Sequence, residues 1–153
     1  NPSDIYKAVT HINTEISVLN KKIEELNKAK TLELIPELIV QAIDLKGIKF
    51  LSTRLDYSPD TIKDLSYGFK SKCDNFVLII GSNFENKVIL SVMISDNLVQ
   101  KGLDASIIVR TLAKEINGGG GGQKFYAVAG GKNPDGLDKA VALGKDVVEE
   151  MLK

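Results

Sequence analysis

Gly118-Gly119-Gly120-Gly121-Gly122-Gln123-Lys124-Phe125-Tyr126-Ala127-Val128-Ala129-Gly130-Gly131 is the stretch on which the fold of this chain turns. Each glycine is freer than any other residue in the unfolded chain, so ordering five in a row carries a large entropic cost. Such a run is either a disordered linker or a place where backbone must come very close to something. The flanks argue against a linker. Ile116 ends an apolar-periodic helix, and the aromatic and small residues after Gln123 read as a packed strand. The glycines are therefore expected to form an ordered contact loop.

Working back from the loop, Asp104 reads as the cap of a helix carrying Ala105, Ile108, Leu112 and Ile116 on one face. Ser95-Asp96-Asn97 caps a shorter helix before it. Phe76 to Ile80 is an unbroken apolar run of strand length, expected at the centre of a sheet covered on both faces. Gly81 to Asn86 is expected to turn the chain and Val88 to Ile94 to return it. Ser58-Pro59-Asp60 is a helix start with Ile62, Leu65 and Phe69 as its buried stripe. Ile48 to Phe50, with Leu51, Thr53 and Leu55, reads as a strand. Beyond the loop come a short strand at 124–129 and a last helix from about Asn133-Pro134-Asp135, burying Leu137, Ala140, Val141, Val147, Val148 and Met151. Residues 46–153 thus form a globular, glycine-rich α/β domain, a mixed α+β sheet with flanking helices.

Residues 1–45 have a different character, that of a coiled-coil-like helical subdomain. Ile5, Val9, Ile12, Ile16, Leu19, Ile23 and Leu26 alternate spacings of four and three, a heptad seam. Ser3 or Asp4 is the expected cap, and Pro36 is expected to kink or restart the helix. Leu34, Ile35, Leu38, Ile39, Ala42 and Ile43 would then form a second, broader apolar face running to residue 44. A narrow seam needs a partner helix. Self-association through Val9, Ile16, Leu19, Ile23 and Leu26 is one reading. Packing on a helix of a parent protein, or on residues 35–44 folded back, is the other. With five basic and seven acidic residues, the segment is no basic arm.

The inventory argues against several chemistries. One histidine, His11, and one cysteine, Cys73, cannot build a structural zinc site, a disulfide or a nucleophile-histidine pair near the loop. Gln123-Lys124-Phe125 lacks the Lys-Ser/Thr pair of a P-loop and follows a helix instead of opening one. No catalytic residue, metal or cofactor is expected, nor any membrane span or secretory signal. A single cysteine fits a reducing, cytoplasmic compartment. A chain opening on Asn1-Pro2-Ser3 instead of methionine reads as part of something longer.

The 20 basic and 20 acidic residues cancel, so a polyanion must be held by a local patch. From Val99 to Pro134, Lys101, Arg110, Lys114, Lys124 and Lys132 oppose only Asp104 and Glu115. Backbone amides of Gly119, Gly120, Gly121, Gly122 and Gln123 can converge on phosphate oxygens. Lys132 and Asn133 lead into the positive end of the last helix, and Tyr126 offers a stacking surface. Arg110, Lys114, Lys124 and Lys132 supply charge. Tight packing of a turn between helix and strand explains the same glycines without any ligand.

The segment 118–134 followed by an amphipathic helix resembles the C-terminal domain of alanyl-tRNA synthetases, the DHH-associated fold. Gly47 to Leu51, the proline-started helix and the strands at 76–80 and 88–94 follow that family's order of elements, as does a helical portion ahead of them. The resemblance implies a non-catalytic module that grips the tRNA elbow, where the D and T loops meet. It helps couple aminoacylation and editing domains that lie upstream, and contributes to oligomerisation. The pattern departs at Gly119 and Gln123, where the family carries a lysine and an arginine. Some relatives have lost tRNA binding, so an oligomerisation module, or one that binds protein or DNA, is the alternative. The substrate-gripping half of a DHH-type phosphoesterase shares the fold, but the N-terminal coil and the lack of an Asp-His-His constellation argue against it.

Overall fold

Apolar residues at every second or third position, broken by turn residues, divide the chain into five α-helices and six strands. They are α1 (Pro2–Gln41), α2 (Pro59–Lys72), α3 (Asp96–Gln100), α4 (Ala105–Ala113) and α5 (Leu137–Met151), with β1 (Ile43–Leu45), β2 (Ile48–Arg54), β3 (Phe76–Phe84), β4 (Lys87–Ile94), β5 (Gly119–Gly122) and β6 (Tyr126–Gly131). The structure, a computed structural model, describes every residue from Asn1 to Lys153. One mixed sheet takes the order β1-β2-β3-β4-β6-β5. Only β2 and β3 are parallel, joined through α2; the other neighbours are antiparallel.

Phe76 to Ile80 has no exposed surface, because alternate residues feed two cores. On one face, Ile35 and Leu38 of α1 and Ile62, Leu65 and Phe69 of α2 cover Phe76, Leu78, Ile80 and Met93. On the other, α4 and α5 cover Val77, Ile79, Leu90, Val92, Ala127 and Ala129. Each fully buried aliphatic or aromatic side chain contributes ~1.5–3 kcal/mol relative to exposure.

Several local expectations are corrected. The first helix is capped by the side chain of Asn1, which accepts from the Ser3 N–H at 3.4 Å; Pro2 then occupies the first turn, where its missing N–H costs nothing. Pro36 does not restart the helix, which runs unbroken to Gln41. The carbonyl left without a partner belongs to Leu32, an exposed residue, so water can satisfy it. Ile43 lies in a strand, so no second helix folds back on the first. The β3–β4 turn is confined to Glu85 and Asn86, both at positive φ, and Gly81 to Phe84 continue the strand. The glycine run is not a loop: Gly119 to Gly122 form β5, an edge strand, and its partner is displaced from 124–129 to 126–131. The last helix starts at Leu137, after a short 3-10 turn over Pro134–Gly136.

Candidate nucleic-acid interface

β5 has β6 on one side and no strand on the other. The Gln123 N–H donates to Tyr126 O at 2.9 Å, and the register Gly119↔Gly130 to Gly122↔Ala127 continues that pairing. By antiparallel alternation the N–H and C=O groups of Gly119 and Gly121 face β6, whereas those of Gly120 and Gly122 face the open edge. Arg110 on α4 reaches over that edge, its Nε donating to Gly120 O at 3.2 Å. Gly119, Gly120 and Gly122 are exposed. The outcome is a bare amide edge with a guanidinium beside it.

The five glycines are not equivalent. A Cβ at Gly118, Gly120 or Gly122 would enter the backbone of the strand alongside: Gly130 O, Val128 O and Tyr126 O are the nearest atoms, respectively. At Gly119 a Cβ meets nothing within 4 Å, and at Gly121 it meets the Arg110 guanidinium, with Nη2 nearest at 3.1 Å. Close approach of β5 to β6 therefore accounts for alternate glycines. The remaining two leave the surface open.

A shallow groove of about 560 Å³ lies at one end of this surface, between Asn86, Lys87, Asn117, Gly119, Gly130 and Lys132. Lys132 follows Gly131, which registers with Val88, so Lys87 and Lys132 stand together at the ends of β6 and β4. Lys87 carries no signal in the sequence near the glycines; only the hairpin register brings it there. Asn117 takes a left-handed φ of 50°, ending the 3-10 turn that follows α4.

Other sequence-nominated residues are placed differently. Lys124 and Gln123 sit in the β5–β6 turn, separated from Lys132 by the six residues of β6, ~20 Å at ~3.3 Å per residue. The Lys124 carbonyl accepts from the Ala105 N–H at 2.8 Å, beside the Asp104 carboxylate that caps α4. Ser106 hydrogen bonds hold Asp104 below its ordinary carboxylate value, with desolvation opposing and Lys124 assisting. Lys114 is exposed at the C-terminal end of α4.

Asn133 is structural: its side chain donates to Glu115 O at 3.3 Å. The amides of Lys132 and Asn133 both donate to Ile116 O at 2.9 Å, so the lead-in to the last helix has no free amides there for an anion. Tyr126 lies on the opposite face of the sheet from Arg110, packed at 5.6 Å from the ring of Tyr67 on α2. Burial raises its phenol above the usual value, with a Ser91 hydrogen bond opposing. Phe125 packs on the same face, under the Lys70 ammonium at 4.6 Å. The structure thus brings together Arg110 and the glycine edge, with Lys87 and Lys132 at its end, and sets Tyr126 apart.

No helix is long and apolar enough to cross a membrane, and no group of three or more His, Cys, Asp or Glu residues could hold a metal ion. The DHHA1 domain family matches residues 46–150. Curated proteins named alanine–tRNA ligase match nearly the whole chain. That of Cytophaga hutchinsonii is 40% identical over 97% of this chain and 17% of its own length. The Christiangramia forsetii protein is 39% identical with the same coverage, and the Acetivibrio thermocellus protein 31% identical over 99% of this chain and 17% of its own. The chain spans about a sixth of the length of these relatives. Among solved structures, the C-Ala domain from Aquifex aeolicus alanyl-tRNA synthetase superposes with a TM-score of 0.62 at 23% identity, covering 71% of this chain and 97% of that one, a likeness of fold.

Proposed function

This chain belongs to the DHHA1 domain family, and from that premise we propose that it is the non-catalytic, tRNA-gripping C-terminal part of an alanine–tRNA ligase. The observation that carries the reading is the exposed glycine edge. Two outward amides and the Arg110 guanidinium lie side by side with no side chain between them and an approaching phosphate. Lys87 and Lys132 extend the positive surface from the end of that edge. Contacts of this kind read backbone and shape, with little discrimination between bases, and suit a folded RNA such as the elbow formed by the D and T loops of tRNA.

In this role the domain has no chemistry of its own. Its partners are tRNA and the upstream domains of the parent synthetase, which it helps bring to one tRNA. With an overall charge of zero, binding rests on the local patch and falls steeply with salt. If ~3 phosphates are contacted, a fourfold rise in salt weakens binding by ~15- to 40-fold. A filter-binding titration with tRNA and with a DNA duplex of matched length, at two salt concentrations, tests this. Preference for tRNA with that slope supports the reading. Equal, weak binding to both nucleic acids would sink it.

A further inference from the structure

The side of α1 that packs on the body carries Thr31, Ile35 and Leu38, all buried. Ile35 sits so close to Gly68 of α2 that a Cβ there would meet its Cδ1. Continued outward at the same alternation of three and four, that side presents Lys28, Glu24, Lys21, Ser17, Thr14, Thr10 and Lys7. None of them is apolar, and all are exposed. Asn27, Asn20 and Asn13 run alongside, each seven residues from the next. A heptad drifts only ~20° round a straight helix, so this stripe overhangs the body's side of α1 for most of its ~32 Å. We propose that the stripe is a second contact for the RNA held at the glycine edge, lying along the phosphates of a duplex arm. The inference rests on the tRNA reading and extends it from the elbow to a helical arm.

Placement supports one ligand for both surfaces. Lys28 and Asn27 share a cleft of about 450 Å³ with Ser58 and Thr61 at the start of α2. At this same end of the sheet β3 passes into β4, β6 ends and β5 begins. The groove of Lys87, Asn117 and Lys132 therefore opens where the free helix leaves the body. β3 and β6 are two strand spacings apart, ~10 Å. Overhang and groove form two sides of a corner open to solvent.

Charge is sorted round the helix. Residues 1–30 hold five lysines and four acids, yet the stripe takes Lys7, Lys21 and Lys28 against Glu24 alone. Asp4, Glu15 and Glu25 lie off it. In the cleft Glu24, Asp60 and Asp64 outnumber Lys28 and Lys63, which keeps phosphate out of the apex of the corner. The anion contact thus runs outward from Lys21 to Lys7. Thr10 and Thr14 return their hydroxyls to Tyr6 O and Thr10 O, each at 2.9 Å. Lysine ammoniums and asparagine amides are left as the donors, although asparagine weakens an exposed helix interior. Such donors suit phosphate oxygens and 2′-hydroxyls and read no base sequence.

The test titrates the 153-residue chain with tRNA and with a loopless RNA duplex at several salt concentrations. Lys7→Gln with Lys21→Gln alters the stripe; Lys22→Gln with Lys30→Gln removes the same charge from other sides of the helix. All four lysines are exposed, so neither pair touches the core. The stripe pair should weaken binding to both RNAs roughly fivefold or more and lower the salt slope by up to two units, the control pair by less than about twofold. Equal losses from the two pairs, or none from the stripe pair, overturn the proposal. Position is read by a photo-cross-linker on an introduced cysteine, with the natural Cys73 buried. Asn20→Cys should label the duplex, and Glu25→Cys, ~140° round the helix, should not. Labelling from Glu25→Cys alone also overturns it. Failure of the elbow reading shows differently, as loss of the preference for tRNA over the duplex with the stripe effect intact.

Discussion

Arg110 donates from Nε to the carbonyl oxygen of Gly120 at 3.2 Å, closing one outward acceptor of a strand that has no other neighbour on that side. An unpaired edge invites another chain to add a strand, and a guanidinium laid across it discourages that. The same contact fixes a positive charge beside the outward amides. Arg110→Ala should leave the fold nearly untouched, since the side chain is exposed. It should weaken tRNA binding by roughly fivefold or more and lower the salt slope by about one unit. Parallel titrations at several salt concentrations check this, and an unchanged slope would remove Arg110 from the contact surface.

Gly119 and Gly120 are adjacent in sequence and opposite in tolerance. Gly120→Ala drives a Cβ into Val128 O and the Ala129 backbone. It should cost roughly 2 kcal/mol or more in stability, because backbone cannot move aside as a side chain can. Gly119→Lys meets open space. It should keep the melting temperature and tighten polyanion binding, by placing a cation beside the outward amides. Thermal melts of both variants beside tRNA titrations separate architecture from contact. Equal melting losses would show that the alternation of tight and open glycines is wrong.

The elements most legible in the sequence were those with strong periodicity or turn chemistry. Phe76 to Ile80 announced a doubly covered strand, and Ser58-Pro59 the start of α2. The glycine run was harder to read, because residues without side chains have no alternation to betray a strand. The sequence showed that the backbone comes close to something, but not that the something is β6. Pro36 does not restart the helix, because the cost of a proline there depends on whether the Leu32 carbonyl meets water, a tertiary fact. Lys87 was invisible for another reason: it lies more than thirty residues before the glycines and reaches them only through the β4–β6 register. The stacking surface expected of Tyr126 is not free, because it and Phe125 both pack on the α2 face.

Lys87 and Lys132 offer the test of where the groove ends. The double change Lys87→Ala with Lys132→Ala should reduce tRNA affinity and cut the salt slope by up to two units, with little effect on stability. Lys124→Ala, at the far end of the hairpin, should do less, because the Asp104 carboxylate already opposes its charge. A larger loss from Lys124→Ala than from the double change would place the RNA over the β5–β6 turn instead.

Asp104 links stability to that same charge pattern. Its carboxylate accepts from the Ser106 N–H at 2.9 Å and from Ser106 Oγ at 2.6 Å, which holds its titration below the ordinary 3.8. A carboxyl depressed on folding contributes stability that is complete above the unfolded value and is lost as pH falls through the lower, folded one. Asp104→Ala should therefore lower stability by about 1 kcal/mol at neutral pH through loss of the cap, and make the decline below pH ~4 shallower. Asp104→Asn keeps a capping oxygen but removes the negative charge near Lys124. It should retain most of the stability and tighten tRNA binding modestly, since Lys124 then meets phosphate without competition. Denaturant melts from pH 3 to 7, paired with binding at neutral pH, check both halves. Tighter binding by Asp104→Asn with no change in Arg110→Ala would move the RNA contact from the glycine edge to the start of α4.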